Sequence, residues 1–299
     1  MYKLNNILLS DYGFIASQAP NSNIAVTGVL DMPKRIGKTF HSWGDHHGVE
    51  PYVSAAEIFF SGREIAFFGL LKADNKHEAI YKLQGLGFYS LLNSFTELMP
   101  LETPYGTFQV YVKEEIKVDY LTDGWCKIII KFQEPIVTIP TPVLPVTTDY
   151  RDYGIDGISF KTLNAFVTSV NDNMNRPGQK KQNVSVYGKE GYELTKTKFQ
   201  KIKFGLVFQG ENFTEIKGNI EIIHKQLASE GLHDINIDGT GRKIWAIDGF
   251  KVKNIKETVA ELSIELMVND ETSLYEEGFI LTDNHGNEIT DKQGNTITL

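Results

Sequence analysis

Apolar and polar residues alternate over several stretches of the chain, a period of two that predicts strands. EIFFSGREIAFFGLL (57–71) reads as a β-hairpin turning at Ser61-Gly62, with aromatic residues adding strand preference. FQVYVKEEIKVDYL (108–121) and WCKIIIKFQEP (125–135) read as two antiparallel strands joined by a turn at Asp123-Gly124. Between them the period lengthens to that of a helix. Asp74 or Asn75 caps a helix over roughly 76–94, with Ile80, Leu83 and Leu91 on its apolar side. Gly85 and Gly87 in its middle predict that it is bent or short.

The same order returns further along. FQKIKFGLVFQ (199–209) predicts a strand. TEIKGNIEIIHKQLASEG (214–231) predicts a helix, with Ile216, Ile220, Ile223 and Leu227 at 3/4 spacing and Gly231 as its stop. KIWAIDGFKVKNI (243–255) and ETVAELSIELMVND (257–270) predict another strand pair. FFGLL aligns with KFGLV, placing Gly69 over Gly205, and IIIKFQEP aligns with IELMVNDE, placing Ile130 over Leu266 and Glu134 over Asp270. Leu91 over Leu227 and Phe108 over Ile244 agree, at an offset of about 136 residues throughout. MPKRIGKTFHSW (32–43) and MNRPGQKKQNVSVY (174–187) correspond as basic Pro/Gly turns leading into strands, and GDHHGVEPYVS is an insertion in the first half. A constant offset predicts a duplicated unit. The competing reading is two unrelated α+β domains that share β-α-ββ order.

PIVTIPTPVLPV (135–146) separates the halves, and Pro135, Pro140, Pro142 and Pro145 make it extended. The division that follows is a first domain over 1–135, a Pro-rich linker over 136–149, a second domain over 150–275 and a C-terminal arm over 276–299. The arm repeats T-D-x-x-G-N-x-I-T as TDNHGNEIT (282–290) and TDKQGNTIT (290–298). Such a short motif buries no core alone. It is either a hairpin docking on a neighbour, with Asp283 and Asp291 in its turns, or a frayed tail.

The net charge of −8 argues against general nucleic-acid binding, which needs a basic face, yet suits a channel wall that DNA passes without sticking. Cys126 is the single cysteine, so no intramolecular disulfide and no Cys-rich zinc site forms. The start MYKLNNILLSDYG lacks signal-peptide features and no apolar run is long enough to span a membrane, which predicts folding in a cytoplasm.

Little of the chain suggests chemistry. Asp45, His46, His47 and Glu50 in SWGDHHGVEPY are possible metal ligands, but adjacent histidines on a strand point to opposite faces and no H-x₃-H or HExxH spacing occurs. That loop is read as a solvated or subunit-contact loop. His224 is read as a half-buried helix residue, and DGTGR (238–242) as a turn between helix and strand. No nucleophile motif, Cys/His pair or paired carboxylates appears, so neither catalysis nor a cofactor is expected. Lys34, Arg35 and Lys38 form a basic cluster matched by Lys180 and Lys181. These five, with His46, His47, Asp283 and Asp291, are the candidate subunit contacts.

TGVLDMPKRIGKTFHSWGDHHGVEPYVSAAEIFFSGREIAFFGLL (27–71) resembles tail proteins of Bacteroidetes-type phages and prophages. The order that follows is similar to the tail-tube fold of tube, distal tail and baseplate hub proteins, over about 1–135 and 150–271. The resemblance implies a β-rich α+β chain of two tandem tail-tube-like split β-barrel or sandwich domains, each with one flanking helix. It implies a structural protein of the virion tail, assembled in the host bacterial cytoplasm, with no catalytic residues and no membrane contact. The expected assembly is a homo-oligomeric ring, a trimer with pseudo-sixfold symmetry or a hexamer. Its expected partners are the tail tube protein and tail-tip or receptor-binding proteins, and DNA passes through without specific binding. The other functional reading is a β-sandwich binding module for carbohydrate or protein.

Overall fold

The computed structural model describes residues 1–42, 49–85, 97–146, 153–171 and 200–269, together with the backbone of 179–186 and 189–197. The first half contributes β1 (Lys3–Leu4), β2 (Ile7–Leu8), β3 (Phe14–Ala16) and β4 (Val26–Thr27). Four short strands follow, β5 (Arg35–Ile36), β6 (Phe40–His41), β7 (Glu50–Pro51) and β8 (Phe59–Phe60). Then come β9 (Arg63–Lys72), helix α1 (Lys76–Gly85), β10 (Met99–Thr103), β11 (Gly106–Val112), β12 (Lys117–Tyr120) and β13 (Trp125–Glu134). The second half contributes β14 (Gly154–Ile155), β15 (Ile158–Ser159), β16 (Ala165–Asn171), β17 (Gln179–Val186), β18 (Lys189–Thr197) and β19 (Gln200–Gln209). Helix α2 (Phe213–Ala228), β20 (His233–Ile237), β21 (Thr240–Lys253) and β22 (Val259–Val268) complete it. The chain is β-rich with two described helices and antiparallel sheets.

Strand order in the first sheet is β2-β1-β10-β11-β13-β9-β3, with β12 added to β13 and β4 to β9. In the second it is β15-β14-β20-β21-β22-β19-β16, which repeats the first strand for strand. The agreement extends to register. Arg63 faces Glu134 and Lys72 faces Trp125 at the two ends of the β9–β13 ladder, and Gln200 faces Val268 and Gln209 faces Val259 at the ends of β19–β22. Two-residue turns join β10 to β11 and β20 to β21. The gap between β11 and β12 recurs as a bulge in β21 between Ala246 and Phe250. Even the helix starts match. Asn75 Oδ1 accepts from the Glu78 N–H at 2.9 Å and Asn212 Oδ1 from the Glu215 N–H at 3.1 Å. Each glutamate side chain in turn accepts from the residue before the cap, Asp74 or Glu211, so two free donors are satisfied at each helix start.

These ladders correct the alignment read from sequence. Gly69 faces Ile128 on the core side, whereas Gly205 faces Ser263 on the polar side. A Gly-over-Gly alignment therefore turns the strand over, because one residue of slip moves every side chain to the other face. The ladder ends place Phe67 over Phe204 and Ile130 over Ile264, and all four are buried.

Three local expectations also change. Ser61-Gly62 is no hairpin turn: β8 pairs with β5, and the Ser61 N–H bonds to Lys34 O at 2.9 Å. Gly62 instead lets the chain pass the end of β13, where a Cβ would meet Glu134 O at 2.3 Å. The run 108–121 is two strands because it breaks after Val112. DGTGR is the hairpin turn from β20 into β21, with Asp238 and Gly239 at φ 49° and 84°, the geometry of a type I′ turn. Of the helix expected over 76–94, the structure describes 76–85, and Gly87 and Leu91 lie outside the described residues.

Apolar faces of both sheets, with Ala79 and Leu83 of α1 and Ile216, Ile220, Ile223 and Leu227 of α2, form one core that is continuous across the halves. Each half also carries an antiparallel excursion between its edge strand and its first long strand. In the first half β5 pairs β8 and β6 pairs β7, nested as one arm. In the second, β17 and β18 pair as a separate two-stranded sheet.

Candidate functional site

The junction between the two sheets holds the densest set of unusual contacts. Residues 31–33 cross onto the bulge of β21, where Met32 and Phe250 exchange N–H···O bonds of 3.1 and 3.2 Å. Gly249, at φ 64°, makes room: a Cβ there would meet Met32 O at 2.2 Å and Pro33 O at 2.6 Å. Beside it, an Asp31 carboxylate oxygen accepts from the Val252 N–H at 2.8 Å. Burial pushes the Asp31 carboxyl up to about 6, against the opposing pull of that N–H and of Lys251, Arg63 and Lys253. Ser22 Oγ donates to Ile255 O at 2.7 Å and extends the seam.

Arg63 fixes the near side. Its guanidinium pairs with the buried Glu134 carboxylate, donates to Val29 O at 3.0 Å and Asp31 O at 3.3 Å, and lies over the Phe108 ring. Burial raises the Glu134 carboxyl, while Arg63 pulls it down. On the far side Lys217 Nζ donates to Tyr105 O at 2.8 Å, and the Tyr105 and Phe213 rings sit 4.4 Å apart. His224 is buried rather than half-buried, and burial with Arg63 nearby lowers it to about 4. A cleft of about 610 Å³ runs along the seam, lined among others by Asp31, Lys34, Lys113, Lys251 and Lys253.

A second contact between the halves lies on the outer face. Val49, Trp245 and Met267 are 4%, 1% and 2% exposed and form a closed cluster with Phe40, Val53, Leu232 and Ile247 around them. The arm of the first half thus covers one corner of the second sheet, and the Gly231 N–H bonds to Val53 O at 2.8 Å.

The candidate contact residues are dispersed. Lys34 and Lys38 are exposed, and Lys38 Nζ lies 3.1 Å from His41 Nδ1. Arg35 is buried and donates to the carbonyls of Tyr52 and Glu57 within its own chain. Lys180 and Lys181 stand on β17, opposite Lys196 and Thr195. His46, His47, Asp283 and Asp291 lie outside the described residues. Among the described residues no three His, Cys, Asp or Glu side chains gather as a metal site, and no helix is long and apolar enough to cross a membrane. Sequence reading passed over the junction itself. The Asp248-Gly249 pair was its one signal, since a glycine inside a strand pattern marks a bulge or a close backbone approach.

No family model and no curated protein matches the chain. Among solved structures the chain is similar to the Dit protein of phage SPP1, described as a paradigm of the hub adsorption apparatus in phages that infect Gram-positive bacteria. Identity is 14% and the TM-score 0.31, over 89% of this chain and 98% of that one.

Proposed function

We propose that this chain is a structural phage tail-tip protein, a distal tail or baseplate hub protein, whose two halves are a tandem duplication of a tail-tube-like unit. Copies form a ring that joins the tail tube to the tip and leaves a channel for DNA. The observation that carries this reading is the strand-for-strand repeat of one sheet by the other, with the halves held in fixed orientation by the junction. Two like units linked head to tail suit a ring in which each chain fills two places. Three chains then give six equivalent sheets, and sheet edges left open in one chain are closed by its neighbours. The partners are the tail tube protein on one side and tip proteins on the other. Light scattering and negative-stain imaging of the purified full chain test the reading. The expected particle is a trimer with a six-lobed outline, and a strict monomer at high concentration overturns it.

A further inference from the structure

The internal repeat identifies a surface that one chain leaves uncovered. Leu232 directly precedes β20, and Trp245 faces Met267 across β21 and β22. In the first sheet the same places are held by Leu98, directly before β10, and by Tyr111, which faces Gln133 across β11 and β13. The two corners are treated differently. Trp245 is 1% exposed because the first half's arm lies over it, whereas Leu98 and Tyr111 are 42% and 38% exposed. A large apolar residue recurs at each place, with a cover in one half and none from the described residues in the other.

The covering element recurs too. β17 and β18 leave the second half at the point where the first arm leaves the first, between the edge strand and the first long strand. β17 is 8 residues long, a reach of roughly 26 Å at ~3.3 Å per residue. Its ladder with β18 runs from Gln179 opposite Thr197 to Val184 opposite Tyr192.

We propose that the arm Gln179–Thr197 of one copy covers the Leu98–Tyr111 corner of the next copy, as the first arm covers Leu232 and Trp245 within the chain. The occupant is a second copy of this protein, and the inference rests on the ring reading above. The contact is heterologous, since arm and corner are different surfaces. It propagates head to tail and closes into a ring when the rotation per chain allows. The same contact, made once inside the chain and once between chains, gives the assembly its near-equivalent steps.

A photocrosslinking residue settles it. p-Benzoylphenylalanine replaces Tyr111 in the full chain, and unlabelled and ¹⁵N-labelled copies are mixed before irradiation, so that mass spectrometry separates crosslinks between copies from those within one. Crosslinks between copies into 179–197 are expected, and Tyr111→Asp should raise the protein concentration needed for half-assembly at least tenfold. A ring that forms while residue 111 crosslinks elsewhere, or only within its own chain, overturns this contact and leaves the ring reading in place. A chain that stays monomeric overturns both.

Discussion

At the residue scale, Gly249 and Asp31 carry the junction in different ways. Gly249 combines a left-handed backbone with carbonyl oxygens 2.2 and 2.6 Å from where a Cβ would sit. Gly249→Ala should therefore cost more than ~2 kcal/mol, through backbone strain and displacement of residues 32–33, read as a lowered denaturation midpoint. Asp31 is a stored cost. Its folded pKa is raised from 3.8 to about 6, so its contribution to stability is full below 3.8 and is lost as pH rises through about 6. Asn keeps the acceptor for Val252 and removes the charge. Asp31→Asn should stabilise the chain by ~1–3 kcal/mol above about pH 7 and by little below about pH 4, in urea melts at the two pH values. His224 runs the other way: lowered from 6.5 to about 4, its contribution is full above 6.5 and is lost as pH falls through about 4. It is common to both proteins and cancels in the comparison.

At the scale of elements, what sequence made legible was what local pattern decides. Helix α2 follows from Ile216, Ile220, Ile223 and Leu227 at 3/4 spacing, and its Asn212 cap repeats Asn75. The long strands follow from alternation. Their relative register did not, because FFGLL and KFGLV match as strings while their faces differ, and the face is set by partners far along the chain. The hairpin at Ser61-Gly62 failed for the same reason: Phe59 and Phe60 carry strand preference, yet their partner is β5 rather than β9. The loop SWGDHHGVEPY was read as solvated or as a subunit contact, and Lys34, Arg35 and Lys38 before it as subunit contacts. Its described flanks bury Arg35 and Val49 and close over Trp245 and Met267. Replacing residues 37–51 by a short Gly-Ser linker should thus destabilise the single chain by about 2–3 kcal/mol, the worth of burying one large apolar side chain. A denaturation curve on the linker variant checks this, and an unchanged midpoint would return the loop to a purely intermolecular role.

At the scale of the molecule, the question is what the polar sheet faces offer to a polyanion. The net charge of −8 was read as suiting a channel wall that DNA passes without sticking, and the long strands carry charges of both signs. Lys113 pairs with Glu64 at 2.7 Å, Lys131 with Glu114 at 2.9 Å, Lys243 with Asp234 at 2.7 Å, and Lys201 with Glu265. Glu257 stands in the loop between β21 and β22 rather than on a strand. Each exposed pair adds little stability, yet each sets a carboxylate beside a lysine. Counterion release, which drives protein–DNA affinity, needs lysines free to replace condensed cations, and lysines held by carboxylates release few. The purified chain should therefore show no retention on double-stranded DNA at physiological salt. Glu64→Gln with Glu265→Gln removes the carboxylates beside Lys113 and Lys203 and leaves Lys131 and Lys201 with Glu114 and Asp248 alone, without adding any cation. If pairing with carboxylates is what keeps these faces from DNA, that double variant should bind DNA with a steep inverse dependence on salt, whereas the parent should not. Binding by the parent would mean that its lysines are already available, and a variant as inert as the parent would mean that ion pairing is not what keeps DNA off these faces.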